Sequence, residues 1–326
     1  MALIDKASLL MVPSTYEAGK LYNVLPSGNR APDQTGENSG YDQTRADFDF
    51  DRGSNAAATR VNADGLIEKY RENLLLQSNN FNTTWDTSGV ITLTSGQSDK
   101  DGGSTAWKLA KGSASAFLYQ SNTTDAVQTF SMYAKADTSN WILFQVSGIA
   151  SVRTFFDLEN GVLGSSLSNV IDADIEAVGS GWYRCAMTYN GNPSNIRVFV
   201  ADGDNDTSGT SGSVFIMHSQ NETSLVATDY LESTSVTGKA GVLIDLPRID
   251  YSSGAGALLL EPSRQNKIQY SEYFEAWNLG GGTLTPNATT SPEGVQNAYL
   301  YTEDTSTNYH RLYANTSASS LSLIHI

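Results

Sequence analysis

The side chains most able to meet a ligand in this chain are planar and polar ones carried on alternating strands. Successive residues of a β-strand point to opposite faces, so each apolar-rich segment can be sorted. In FSMYAKA, Phe130, Met132 and Ala134 fall on one side, with Ser131, Tyr133 and Lys135 opposite. In WILFQV, Ile142, Phe144 and Val146 turn inward and leave Trp141 and Gln145 outward. In WYRCAMTY, Tyr183, Cys185 and Met187 pack, while Trp182 and Arg184 take the other face. In IRVFVAD, Arg197 and Phe199 oppose Ile196, Val198 and Val200. If these strands are neighbours, Tyr133, Lys135, Gln145, Arg184 and Arg197 line one sheet face, with Trp141 outward as well. Carbohydrates stack their C–H faces on aromatic rings and hydrogen-bond to Arg, Gln and Asn, so this is a candidate glycan site. The same pattern is also that of an ordinary solvated sheet surface.

Acid–base and nucleophilic chemistry is poorly supplied. Of the three histidines, His325 lies in the last six residues and His310 in a late repeat, and His218 in SVFIMHSQ reads as structural. There is no Gly-x-Ser-x-Gly elbow, His-Glu-x-x-His pair or phosphate loop. A glycosidase needs two facing carboxylates, and none of the 35 acids stands inside an apolar strand as a raised-pKa acid would. Asp157 in TFFDLENG comes closest and reads as a hairpin-turn residue. The expectation is no enzyme and no cofactor. The loop DGDNDTSG places Asp202, Asp204 and Asp206 at positions 1, 3 and 5, a hint of structural calcium. Thr207 stands where an EF-hand needs glycine and Ser213 where it needs glutamate, so an acidic hairpin tip is the better reading. Cys185, the single cysteine, excludes an intrachain disulfide and reads as a buried thiol.

The elements that must hold these residues are strands. Only 17% of residues are charged, 39% are hydrophobic, and Gly, Ser, Thr and Asn are abundant, a mixture that disfavours helical bundles and suits short strands joined by tight turns. The net charge of −15 repels phosphate backbones and anionic lipid heads, so neither nucleic acid nor membrane is an expected partner. No apolar run is long enough to span a bilayer, and MALIDKASLLMVP lacks the basic lead and cleavage site of a secretory signal.

Residues 1–70 read as an extended attachment or trimerising segment. Within it, 26–45 is turn-rich loop, ADFDFDRG alternates as a strand, and Asn62 to Gly65 makes a tight turn between two short strands. From Asn73 onward, strands follow at regular spacing through SVFIMHSQ, which predicts an all-β sandwich or jelly roll over 71–225. Residues 226–263 form a β linker. The phrase RENLLLQSNNFNTTW at Arg71 then returns as RQNKIQYSEYFEAW at Arg264. The echo continues, with Thr92-Leu93-Thr94 as Thr283-Leu284-Thr285, Ala106-Trp107 as Ala298-Tyr299, and Leu118-Tyr119 as Leu312-Tyr313. TRVNADGLIE and PRIDYSSGAGALLLE supply matching lead-ins. This predicts a truncated second module over 264–320, poorly stable and with unpaired strand edges. The last six residues, LSLIHI (321–326), resemble a translated sequencing adaptor and are expected to be a non-native tail.

Taken in order, NLLLQSNNFNTTW, AWKL, TFSMYAKA, GSGWYRCAMTY and SGSVFIMHSQNE resemble the jelly-roll repeats of tailed-phage fibre, spike and head-decoration proteins. Those repeats are similar to carbohydrate-binding modules, and the resemblance covers most of 47–320. It implies a virion surface protein, made in the host cytoplasm without a signal peptide, that adheres to a host cell-surface glycan. It also implies contact with other virion proteins and a homo-oligomer, a trimer included. One departure is that Met217 and His218 stand where the family usually shows a Trp-Gly pair. Two alternatives remain open: a binding module of a secreted bacterial polysaccharide-degrading enzyme, and a depolymerase spike whose catalytic part lies further on. The adhesion reading predicts glycan binding that is lost in Arg184→Ala or Tyr133→Ala.

Overall fold

A computed structural model of the chain describes residues 58–243, 246–261, 266 and 268–314, together with the backbone of Lys20–Leu21 and Phe48–Asp49, which pair antiparallel. The expected loop at 26–45, the rest of ADFDFDRG and the expected tail at 321–326 lie outside the described residues.

Twelve strands make the module that carries the candidate site. They are β1 (Asp86–Ser88), β2 (Ile91–Gln97), β3 (Ala106–Lys111), β4 (Phe117–Ser121), β5 (Ala126–Ala136) and β6 (Trp141–Ser147). There follow β7 (Arg153–Asp157), β8 (Val162–Ser166), β9 (Val170–Gly179), β10 (Trp182–Gly191), β11 (Asn195–Ala201) and β12 (Gly212–Glu222). They form two six-stranded sheets. Sheet A runs β9-β10-β5-β12-β3-β2, and sheet B runs β8-β7-β6-β11-β4-β1. Each ladder is antiparallel. The fold is an all-β jelly-roll sandwich.

The alternation read from the sequence is what closes it. Phe130, Met132 and Ala134 of β5 face Ile142, Phe144 and Val146 of β6 across one core, with Cys185, Met187, Ile196, Val198 and Val200. Phe130 meets Phe144 edge-on at 4.7 Å, and Phe144 lies 4.9 Å from Phe156. Each such side chain contributes roughly 1.5–3 kcal/mol by leaving water. Cys185 is fully buried, and desolvation pushes its thiol well above the usual range, with Asp174 adding to the effect. That thiol is inert packing.

Contacts gather the chain into two units, 1–71 with 240–263, and 72–239 with 264–326. The linker read over 226–263 is therefore divided between them. In the first unit, Thr59–Val61 pairs with Ile67–Lys69, and the Asn62 side chain accepts from the backbone N–H groups of Asp64 and Leu66 to fix the turn. A second hairpin, Ile249–Asp250 with Ala257–Leu258, hydrogen-bonds to the first through Tyr251 N–H to Val61 O (3.0 Å). The two matching lead-ins of the sequence are thus two hairpins joined to each other.

In the second unit the echo at Arg264 is also structural. Asn278–Gly280 pairs with Arg311–Tyr313 as β1 pairs with β4, and Gly282–Thr289 pairs with Ala298–Glu303 as β2 pairs with β3. The backbone agrees in detail. Gln77 and Tyr270, at equivalent positions, both take a positive φ (50° and 54°), and each carbonyl accepts from the N–H three residues on.

Candidate functional site

The structure divides the six predicted site residues between two sheets. Tyr133, Lys135 and Arg184 stand on the outer face of sheet A, and Trp141, Gln145 and Arg197 on the outer face of sheet B. The expectation of one shared face is corrected for a simple reason. Period-2 alternation tells which side chains point out, but β5 and β6 are consecutive strands that cross from one sheet to the other.

On sheet B, register builds a line of side chains across five strands. Arg153, Gln145, Arg197, Tyr119 and Asp86 are successive cross-strand partners on β7, β6, β11, β4 and β1. At the usual strand spacing this row is roughly 19 Å long. The next row in the same face is apolar, with Phe155, Leu143, Phe199 and Phe117, the first three of them buried. Trp141 flanks this floor. The guanidinium of Arg197 lies 4.7 Å from the Phe117 ring, and that of Arg153 lies 5.7 Å from Phe155. Arg197 also donates from Nε to Asn195 Oδ1 and from Nη2 to Ser147 Oγ, both at 2.8 Å. Among the described residues, the Gln145 amide, the Tyr119 hydroxyl and the Trp141 indole N–H have no protein partner, and all three side chains are half-exposed. Arg153 and Tyr119 were not anticipated, although the same alternation applied to VRTFFD and FLYQS would have turned both outward.

The face of sheet A is differently used. The segment after β12 crosses it as a strap. Arg184 Nη2 donates to the carbonyl of Thr228, whose N–H and hydroxyl donate to Glu222 (2.8 and 2.6 Å). Gln220 accepts from Leu231 N–H at 2.6 Å, and Tyr230 shares a hydrogen bond with Ser78 at 2.6 Å. Burial raises the Glu222 carboxyl above its ordinary range, partly offset by the Thr228 donors. Tyr133 sits among Lys100 (5.2 Å), Arg184 (5.6 Å) and the edge of His218 (5.9 Å), while Lys135 donates to Ser180 O. Trp182, expected outward, is on this face but buried against Ala106 and Met217. Arg184 is thus spent on the strap rather than offered to solvent.

His218 is structural in a specific way. A register shift on β12 places it in a bulge at φ 52°, the left-handed region that favours glycine. Its ring stacks on Tyr230 at 4.1 Å, and desolvation, aided by Lys100, lowers its pKa to about 4.

The acidic loop after β11 sends its carboxylates in three directions. Asp202 accepts from the buried Lys111 ammonium at 2.6 Å, Asp204 from the N–H and hydroxyl of Ser165 (2.7 Å each), and Asp206 from Ser208 N–H. Among the described residues, no three His, Cys, Asp or Glu side chains converge as a metal site. Asp157 holds its own turn by accepting from Glu159 and Asn160. A cleft of about 440 Å³ also opens beside β9, lined by Ile149, Asn169, Val170, Asn190, Tyr273 and Glu275 among others. Among the described residues, no helix is long and apolar enough to cross a membrane.

No protein-family model matches the chain, and no curated protein matches it. Among solved structures it is similar to the enzymatically active domain of bacteriophage CBA120 tailspike protein 4, with 14% identity and a TM-score of 0.28 over 46% of this chain and 21% of that one. It is similar to the CBM22-1–GH10 modules of Clostridium thermocellum endo-1,4-beta-D-xylanase 10B complexed with xylohexaose, with 15% identity and a TM-score of 0.28 over 51% and 30%. A third is TmCBM61 in complex with beta-1,4-galactotriose, with 12% identity and a TM-score of 0.24 over 46% and 97%. The chain spans less than a third of the first two structures.

Proposed function

We propose that this chain is a non-enzymatic structural and adhesion protein of a virion, which holds a host-surface glycan on the outer face of sheet B. The carrying observation is the row Arg153, Gln145, Arg197 and Tyr119, in which the Gln145 amide and Tyr119 hydroxyl offer unspent hydrogen-bonding groups beside two guanidiniums, an aromatic floor and Trp141. A flat, strand-built row of this length suits a short stretch of polysaccharide lying across the sheet, its ring faces on aromatics and its hydroxyls on planar polar groups. Preorganised strands hold these groups better than loops would. Single-site affinity would be weak, roughly millimolar to micromolar, and multiplied by repeated modules and by a homo-oligomer such as a trimer. The acidic surface would limit non-specific adhesion.

A glycan array probed with the full-length chain tests this. Hits are expected with the parent and are lost in Trp141→Ala and Gln145→Ala variants that keep the parent's melting temperature. Binding lost instead only in Tyr133→Ala would move the site to sheet A. A folded chain that binds nothing on the array removes adhesion and leaves a purely structural role.

A further inference from the structure

Resting on that reading, we propose that the glycan held by the sheet B row is anionic, carrying carboxylate or sulfate groups that two guanidiniums receive. The chain has 35 acids against 20 bases, so its cations have carboxylates in excess to pair with. The described ion pairs engage Arg60, Lys100, Lys108, Lys111, Lys239 and Arg248. Arg153 and Arg197 are absent from them. Their partners are neutral: Asn205 Oδ1 at 2.8 Å for Arg153, and Asn195 Oδ1 and Ser147 Oγ at 2.8 Å for Arg197, with one aromatic ring beneath each.

Two of the nearby acids are otherwise occupied. Asp204, beside Asn205, accepts from Ser165, and Asp157, two residues along the face from Phe155, holds its own turn. Asp86 ends the row beyond Tyr119. Two like charges therefore share one row, with only the β6 residue Gln145 between them, a Cα separation of roughly 10 Å. That is near the screening length at physiological salt, so the pair repels weakly and gains from any anion placed between them.

A guanidinium fork can pair with two oxygens of a carboxylate or sulfate at once, as an ammonium group does not. Ring stacking and the neutral side-chain bonds fix both forks in advance, so little side-chain entropy is lost on binding. The Gln145 amide, lying between the two, can donate and accept and would read a neighbouring hydroxyl.

The test is titration calorimetry of the full-length chain with polygalacturonate, chondroitin sulfate and an uncharged galactan. At least one acidic polymer should bind about tenfold or more tightly than the galactan. Arg153→Gln and Arg197→Gln should each weaken that binding by about fivefold or more, without lowering the melting temperature by more than a few degrees. Arg→Lys at either position should restore only part of it. Polygalacturonate and chondroitin sulfate separate carboxylate from sulfate recognition. Galactan bound as tightly as the acids, or acid binding indifferent to the double Gln variant, overturns the anionic assignment and leaves glycan binding standing. Failure to bind any of the three polymers, together with an empty glycan array, overturns both.

Discussion

The first module and the second copy begin with the same four strands and the same three aromatic positions, and they end in different environments. Phe81 meets Trp85 at 5.3 Å and Trp107 at 6.0 Å; Phe274 meets Trp277 at 5.1 Å and Tyr299 at 5.4 Å, again edge-on in both cases. In the first module the trio is buried, with Phe81 at 0% exposure, whereas its counterparts are half-buried. The local geometry is therefore written in the local sequence, through the positive-φ turn and the aromatic spacing. Burial is not. It comes from β5 to β12, which have no counterpart among the described residues of the second copy.

The sharpest way to break this comparison is to delete the same ring twice. Phe81→Ala should cost about 3–5 kcal/mol and Phe274→Ala less than about 1 kcal/mol, read from urea denaturation of the full chain. Equal costs would mean that the second copy is as well packed as the first. A smaller effect is expected at the strap, a feature of the first module. Arg184→Ala removes a charge-assisted bond to the Thr228 carbonyl and should cost about 1.5–3 kcal/mol. Hydrogen exchange should quicken across 225–233 and stay unchanged across 282–303.

A third test uses acidity. The folded pKa of His218 is about 4 against 6.5 unfolded, so its contribution is complete above pH 6.5 and is lost as pH falls from 6.5 toward 4. After discounting for its partial exposure, the loss is about 1–2 kcal/mol. Glu222, raised by burial, acts in the opposite sense as it takes up a proton. The reading is thus the difference between parent and His218→Asn melting curves: the variant should lose less stability between neutral pH and about pH 4 than the parent does. Asp99, held near 2 chiefly by the N–H and hydroxyl of Thr105, gives up its contribution only as pH falls below 3.8, outside this window. The smallest expected effect lies at the turn that both copies share. Gln77→Gly trades left-handed strain against chain entropy and should gain about 0.5 kcal/mol. A clear loss there would mean that the Gln77 side chain holds the turn.

Much of the fold was legible because alternation is local. FSMYAKA, WILFQV and IRVFVAD each sorted into core and outer faces as the structure has them, and the strands after the repeat header at Arg264 pair as β1 to β4 do. The candidate site was legible only by halves. Gln145 and Arg197 were found together because β6 and β11 are neighbours, but Tyr133 and Arg184 belong to the other sheet. Sheet membership depends on pairings between strands far apart in the chain, which no period reveals. The strap was illegible for a related reason: LVATDYLESTSV has no strand alternation, and its hold on sheet A runs through side-chain bonds to Glu222, Gln220 and Arg184. Likewise, nothing in SVFIMHSQ announces a bulge at His218.

The strand order also sets a timetable. In sheet A, β12 lies between β5 and β3, and in sheet B, β11 lies between β6 and β4. The first four strands thus form one block and β5 to β10 another, and only the two final strands join them. A chain emerging from the ribosome has both blocks in hand, each with an open edge, before the pieces that fit between them exist. Closure of the two sheets therefore comes late in the synthesis of the module, and the interval before it is when crowded surroundings offer the greatest chance of pairing with the wrong neighbour.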